Sequence, residues 1–167
     1  TSLKCVSRPG PATPAGIWVG NAGWANLQHQ TETAPCHRAR VASLTKNFTA
    51  VAVLRLAQQG LVDLDAPATR YLPGAHPAHG LANTRTATLR QLMNHTSGLY
   101  DYDTDTRYNL DALNQPGRVF TAHECMAYAK NKPATAAPGV EYRYCNTAYL
   151  VLGEVAAALT GQSPQDA

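Results

Sequence analysis

The chain has 167 residues, enough for one domain with a sizeable core, and a net charge of +3 carried by scattered basic residues. Scattered charge argues against a nucleic-acid partner, and 44% hydrophobic against 15% charged residues argues against wholesale disorder. Every long apolar stretch is shorter than a membrane span or carries a charge such as Arg55 or Glu154, so no transmembrane segment is expected.

Residues 1–16 are rich in Pro and Gly and read as an irregular lead-in, without a signal peptide and starting at Thr1. Ile17-Trp18-Val19 and Trp24-Ala25-Asn26-Leu27 then read as two short strands around a Gly20-Asn21 turn, with both tryptophans packing. Arg40-Val41-Ala42 leads into a helix from Ser43, carrying Phe48, Val51, Val53, Leu54 and Leu56, and Gly60 fits its left-handed stop. Apolar almost all round, this helix is expected to be buried in the core, with its first turn opening into a cleft. Residues 61–87 read as a packed, irregular connection. Thr88 caps a short helix with Leu89, Leu92 and Met93, which runs into the turn His95-Thr-Ser-Gly98. The polar, aspartate-rich stretch 100–117 reads as surface loop, with Asp101, Asp103 and Asp105 solvated. Thr121-Ala-His-Glu124 is a capping box that opens a helix to about residue 131. A last, mostly apolar helix is expected from Ala148 to about Leu159, ending near Gly161. Ser163-Pro164 reads as the start of one more helix at which the chain stops, so a C-terminal portion of the fold is expected to be missing.

The chemistry starts at Ser43-Leu-Thr-Lys46, a hydroxyl and an amine one helical turn apart and therefore on one face. A serine hydroxyl needs a neighbour to take its proton, and a lysine with an unperturbed pKa of about 10.4 does so only where its surroundings favour the neutral amine or pass the proton onward. Tyr144-Cys145-Asn146, about 100 residues on, supplies what the pair lacks. A phenol beside an ammonium loses its proton more readily and serves as a general base, and an asparagine orients a lysine and binds a substrate amide.

With these residues in view the chain resembles the serine penicillin-recognising enzymes of the class C β-lactamase and D-alanyl-D-alanine carboxypeptidase type. The resemblance rests on Val41-Ala-Ser43-Leu-Thr-Lys46, on Leu92-Met-Asn-His95-Thr-Ser-Gly98-Leu-Tyr-Asp-Tyr102 and on Pro138-Gly-Val-Glu-Tyr-Arg-Tyr144-Cys-Asn146. Gly60-Leu-Val-Asp-Leu-Asp65 and Leu159-Thr-Gly161 support it, and together the matches span roughly residues 17–167. It implies an α/β (α+β) serine β-lactamase/DD-peptidase-like fold: a helical subdomain plus an N-terminal part of the antiparallel sheet. The 167 residues would form one partial catalytic domain, with lead-in and strands over 1–42 and the helical region over 43–167. It further implies Ser43 as nucleophile, its backbone N–H as oxyanion donor, Lys46 as its proton partner, Tyr144 as general base and Asn146 as substrate-binding residue. The substrate would be a small peptide, ester or β-lactam, handled in a secreted, periplasmic or cell-envelope setting without a cofactor. A D-alanyl-D-alanine peptidase leads these readings, beside a β-lactamase, an esterase or a non-catalytic binding remnant.

Two positions depart from the family pattern. Cys145 stands where the family usually has serine, as a small substitute or as a second nucleophile. The Lys/His-Thr/Ser-Gly motif that supplies a second oxyanion donor does not occur after Asn146. Loss of one such donor costs about 2.7–4 kcal/mol, so the 167 residues alone are expected to be a poor or inactive enzyme. His76, His79 and His95 lack ligand spacing, so surface roles and no metal are expected, with His95 bracing its turn. The four cysteines show no zinc pattern; Cys5 with Cys36 is the favoured disulfide of an exported protein, with free thiols as the alternative.

Overall fold

Backbone pairing of very short strands organises the first of two units, Thr1–Thr45, into which the chain divides ahead of Lys46–Ala167. The computed structural model describes residues 8–9, 19–38 and 40–162. Strand β1 (Arg8–Pro9) pairs antiparallel with β2 (Val19–Gly20), and β3 (Trp24–Asn26) with β4 (Thr31–Glu32). The expected lead-in therefore carries a strand, and Val19 pairs back to it rather than forward across Gly20-Asn21. Ile17 and Trp18 lie outside the described residues. Strands this short bury little surface, and Trp24, expected to pack, is 49% exposed. Cys36 is an exposed free thiol; its expected partner Cys5 lies outside the described residues. The unit closes with a 3-10 turn, Ala42–Leu44, in which Ala42 takes a φ of 47° and the Thr45 N–H donates to the carbonyls of Ala42 and Ser43.

The second unit is helical. Helix α1 (Thr45–Gln58) stops where expected, with Gly60 at φ +74°. It is not buried all round: Val53 and Leu56 enter the core, while Phe48, Val51 and Leu54 are exposed. An all-apolar surface states which sides a helix could bury, not which side finds a neighbour. Residues 61–87 form the expected irregular connection, with 3-10 turns at Ala68–Tyr71 and Pro77–Gly80 and with Val62, Leu72 and Leu81 buried.

The expected Thr121 capping box forms, and the expected Thr88 cap is also a full capping box with Gln91. The Thr88 hydroxyl accepts from the Gln91 N–H and opens α2 (Leu89–Met93); Thr121 accepts from Glu124 and opens α4 (Ala122–Ala129). Between them the expected loop is instead a 3-10 turn at Tyr102–Thr104 followed by α3 (Thr106–Asn114). Asp105 caps α3, is 2% exposed, and accepts from Lys132 Nζ at 2.6 Å and from Arg107 Nε at 3.2 Å. Burial alone would raise its pKa, but the bonds from Lys132 and Arg107 outweigh burial and hold the carboxyl well below the usual range. The reading of Asp105 as solvated is thus corrected.

Helix α5 (Asn146–Thr160) ends at Gly161 with φ +69° and is the spine of the unit. Its Val151, Leu152 and Val155 are fully buried, against Leu89, Leu92 and Met126 among others. Removing surface of this kind from water is worth ~25 cal/mol per Å² and sets the position of the helix start, where Asn146 sits. The Ser163-Pro164 helix start lies outside the described residues. No helix among the described residues is long and apolar enough to cross a membrane.

Candidate active site

Three stretches of the second unit converge at the first turn of α5. From α1 comes Lys46, whose Nζ donates to Asn146 Oδ1 at 2.7 Å across 100 residues of sequence. The same Nζ lies over the Tyr144 ring, 4.9 Å from its centroid, and 5.6 Å from that of Tyr149. An ammonium over an aromatic face is attracted by the ring quadrupole, so these contacts position the amine as well as the hydrogen bond does. Tyr144 itself is 41% exposed and lies within reach of a substrate from solvent.

Asn146 is held from its other side. Its backbone N–H donates to Asp101 Oδ1 and its side-chain Nδ2 to Asp101 Oδ2, each at 3.0 Å. A carboxylate only accepts, so the amide nitrogen must face Asp101 and the amide oxygen must face Lys46. Asp101, expected to be a solvated loop residue, instead sets which way Asn146 points. The clue in the sequence was Asp101 lying next to the His95–Gly98 turn, but spacing carries no sign of a partner 45 residues away.

His95 performs the bracing expected of it. At φ +62°, its carbonyl accepts from the Arg143 N–H at 2.8 Å and its Nδ1 from the Cys145 N–H at 3.2 Å. Its ring lies 4.4 Å from the Tyr144 ring and 5.1 Å from that of Tyr149, centroid to centroid. Burial and, second, the Lys46 charge lower its pKa, so near pH 7 the imidazole is neutral. The turn behind it needs Gly98: at φ +65°, a Cβ there would run into the Ala136 carbonyl oxygen, which already accepts from Asn83 Nδ2 at 2.8 Å.

Cys145 is no second nucleophile. It is 1% exposed, its Sγ donates to the Leu99 carbonyl at 3.5 Å, and burial pushes the thiol up to about 11. The thiolate is the reactive form, so in the folded protein at about pH 8 iodoacetamide should alkylate the exposed Cys36 and spare Cys145 and the buried Cys125. Peptide mass mapping reads the result, and native-state alkylation of Cys145 would show the assignment to be wrong.

The structure therefore brings together Lys46, Tyr144 and Asn146. Ser43 stands in the first unit, exposed in the 3-10 turn, three residues before Lys46 along the chain.

A profile of the beta-lactamase family matches residues 14–167. This chain belongs to the beta-lactamase family. Among curated relatives, it is 36% identical over 128 residues to esterase EstB of Burkholderia gladioli, covering 74% of this chain and 32% of that protein. To penicillin-binding protein 4 of Amycolatopsis lactamdurans it is 35% identical over 126 residues, covering 75% of this chain and 30% of the relative. Among solved structures it resembles a D-stereospecific amidohydrolase from Streptomyces sp., with a TM-score of 0.75, 32% identity, and 89% of this chain on 42% of that one. This member of the beta-lactamase family thus spans about a third of the length of the curated relatives it matches. Its helices and small strands are those of the family's α+β fold, as the resemblance implied.

Proposed function

We propose that the protein acts through an acyl-enzyme on a D-alanyl-D-alanine peptide or its β-lactam mimic, outside the cytoplasmic membrane. Ser43 Oγ attacks the carbonyl carbon, and its proton passes through Lys46 and Tyr144 to the departing amine. The Ser43 N–H donates to the oxyanion, Asn146 binds the substrate amide, and water on the Tyr144 side then hydrolyses the ester. The observation that carries this reading is the 2.7 Å bond between Lys46 and Asn146, with Tyr144 against the same amine. That bond joins residues 100 positions apart, three positions along the chain from a serine, and supports a proton route and a substrate contact there. The similarity to a penicillin-binding protein and to a D-stereospecific amidohydrolase supports this substrate class. The esterase relative supports ester cleavage as a second reading.

Single-turnover chemistry separates the two. In the first turnover, an acylated D-alanyl-D-alanine peptide should release one D-alanine per chain and leave an acyl group on Ser43 until water hydrolyses it, and neither product should form with Ser43→Ala. Acylation by p-nitrophenyl acetate without any reaction of the D-alanyl peptide would replace the peptidase reading with the esterase one.

A further inference from the structure

Away from Lys46, and two turns further along α5 than Asn146, a second cluster uses residues that the acyl-transfer reading does not need. His76 precedes the 3-10 turn Pro77–Gly80, His123 is the second residue of α4, and Glu154 lies on α5. Their side chains meet at three atoms: His76 Nε2 lies 3.2 Å from Glu154 Oε2, His123 Nε2 lies 3.4 Å from the same oxygen, and the two Nε2 atoms are 3.3 Å apart. His76 and Glu154 are 8% and 16% exposed, His123 54%. Neither His79 nor His95 takes part: His79 Nε2 lies 2.9 Å from the Pro73 carbonyl, and His95 braces the acyl-transfer site.

From this triangle we infer a site for a divalent cation of the zinc class, bound by His76 Nε2, His123 Nε2 and Glu154 Oε2 with water in the fourth position. A near-equilateral triangle of 3.2–3.4 Å sides has a circumradius of about 1.9 Å. An ion about 0.8 Å above its plane would lie ~2.05 Å from all three atoms, at the lengths typical of zinc bonds to imidazole and carboxylate. Protons fit the triangle less well. Two Nε2–H groups aimed at Glu154 leave two donors facing each other along the remaining edge, and a single shared proton satisfies only one edge. Glu154 has no lysine or arginine partner among the described residues; its ion-pair partners are these two imidazoles. Two nitrogen donors disfavour magnesium and calcium, which prefer all-oxygen shells. The exposure of His123 leaves the water position open to solvent.

Metal binding has a cost in hydrogen bonding. His76 Nδ1 accepts the Ala78 N–H at 3.2 Å, so in the metal-free protein the ring proton resides on Nε2. Binding through Nε2 requires the tautomer with its proton on Nδ1, and so gives up this long hydrogen bond. In return the ion ties together α4, α5 and the 76–80 turn, which are otherwise far apart in sequence.

The test titrates Zn²⁺ by calorimetry into the protein carrying Cys36→Ser, which removes a competing exposed thiol, with Co²⁺ as a spectroscopic substitute. One ion per chain is expected, with the visible d–d absorption of four-coordinate Co²⁺ and a raised melting temperature. His123→Asn, at a half-exposed position that leaves the fold intact, should weaken binding at least tenfold, and Glu154→Gln similarly, whereas His79→Asn should leave it unchanged. Absence of binding at millimolar Zn²⁺, or binding equally strong in His123→Asn, would overturn the site and leave a hydrogen-bonded cluster.

Discussion

Lys46→Ala is expected to slow acylation of Ser43 by a fluorescent penicillin by about 10²–10⁴-fold, the range for one positioned proton-transfer group. In the native protein the amine is bonded to Asn146 Oδ1 at 2.7 Å and lies over two tyrosine rings. Its loss removes the proposed proton partner and also the contact on the amide oxygen of Asn146, whose nitrogen Asp101 holds. Lys46→Arg separates charge from proton transfer. Guanidinium keeps the cation and stacks on aromatic faces, but it does not deprotonate in proteins. If Lys46 relays a proton, arginine labels as slowly as alanine; arginine restoring labelling would reduce Lys46 to an electrostatic role.

Asp105→Ala is expected to lower the unfolding free energy by about 3 kcal/mol, read from urea denaturation, without bearing on acylation chemistry. About 1 kcal/mol of this is the lost cap of α3, whose Arg107 N–H donates to Asp105 Oδ1 at 2.9 Å. The remainder is the buried carboxylate's pairing with Lys132 at 2.6 Å. Both partner cations reach water, 33% and 63% exposed, so the loss stays at the lower end for a broken buried pair. The pH dependence has a definite sign. The folded pKa is depressed, so the contribution is fully present above the unfolded value of about 3.9 and is lost as pH falls through the folded one. Stability of Asp105→Asn should accordingly fall less steeply below about pH 4 than that of the native chain. Parallel acid limbs for the two proteins would refute the pairing.

What could be read from the sequence was local or chemically specific. Thr88 with Gln91 and Thr121 with Glu124 form their capping boxes because both partners lie within one turn. Gly60 and Gly161 stop their helices because only the local backbone has to cooperate. The resemblance linked Ser43, Lys46, Tyr144 and Asn146 by motif order. What could not be read was non-local. Asp101 looks like any loop aspartate until α5 places Asn146 over it. Helix α3 escaped because its nine residues are mostly polar, and its cap is secured by Lys132, 27 positions on. The apolar circumference of α1 could not reveal that Phe48, Val51 and Leu54 would lie exposed, since periodicity carries no information about neighbours. His76 and His123 are likewise too far apart for any ligand spacing to reveal them.

The site of covalent attachment decides whether Ser43 is the nucleophile. The protein would be incubated with excess benzylpenicillin, digested, and analysed by mass spectrometry. One penicilloyl group on the peptide containing Ser43, absent from Ser43→Ala, is the predicted result. No adduct at saturating penicillin, or an adduct that persists in Ser43→Ala, would contradict it.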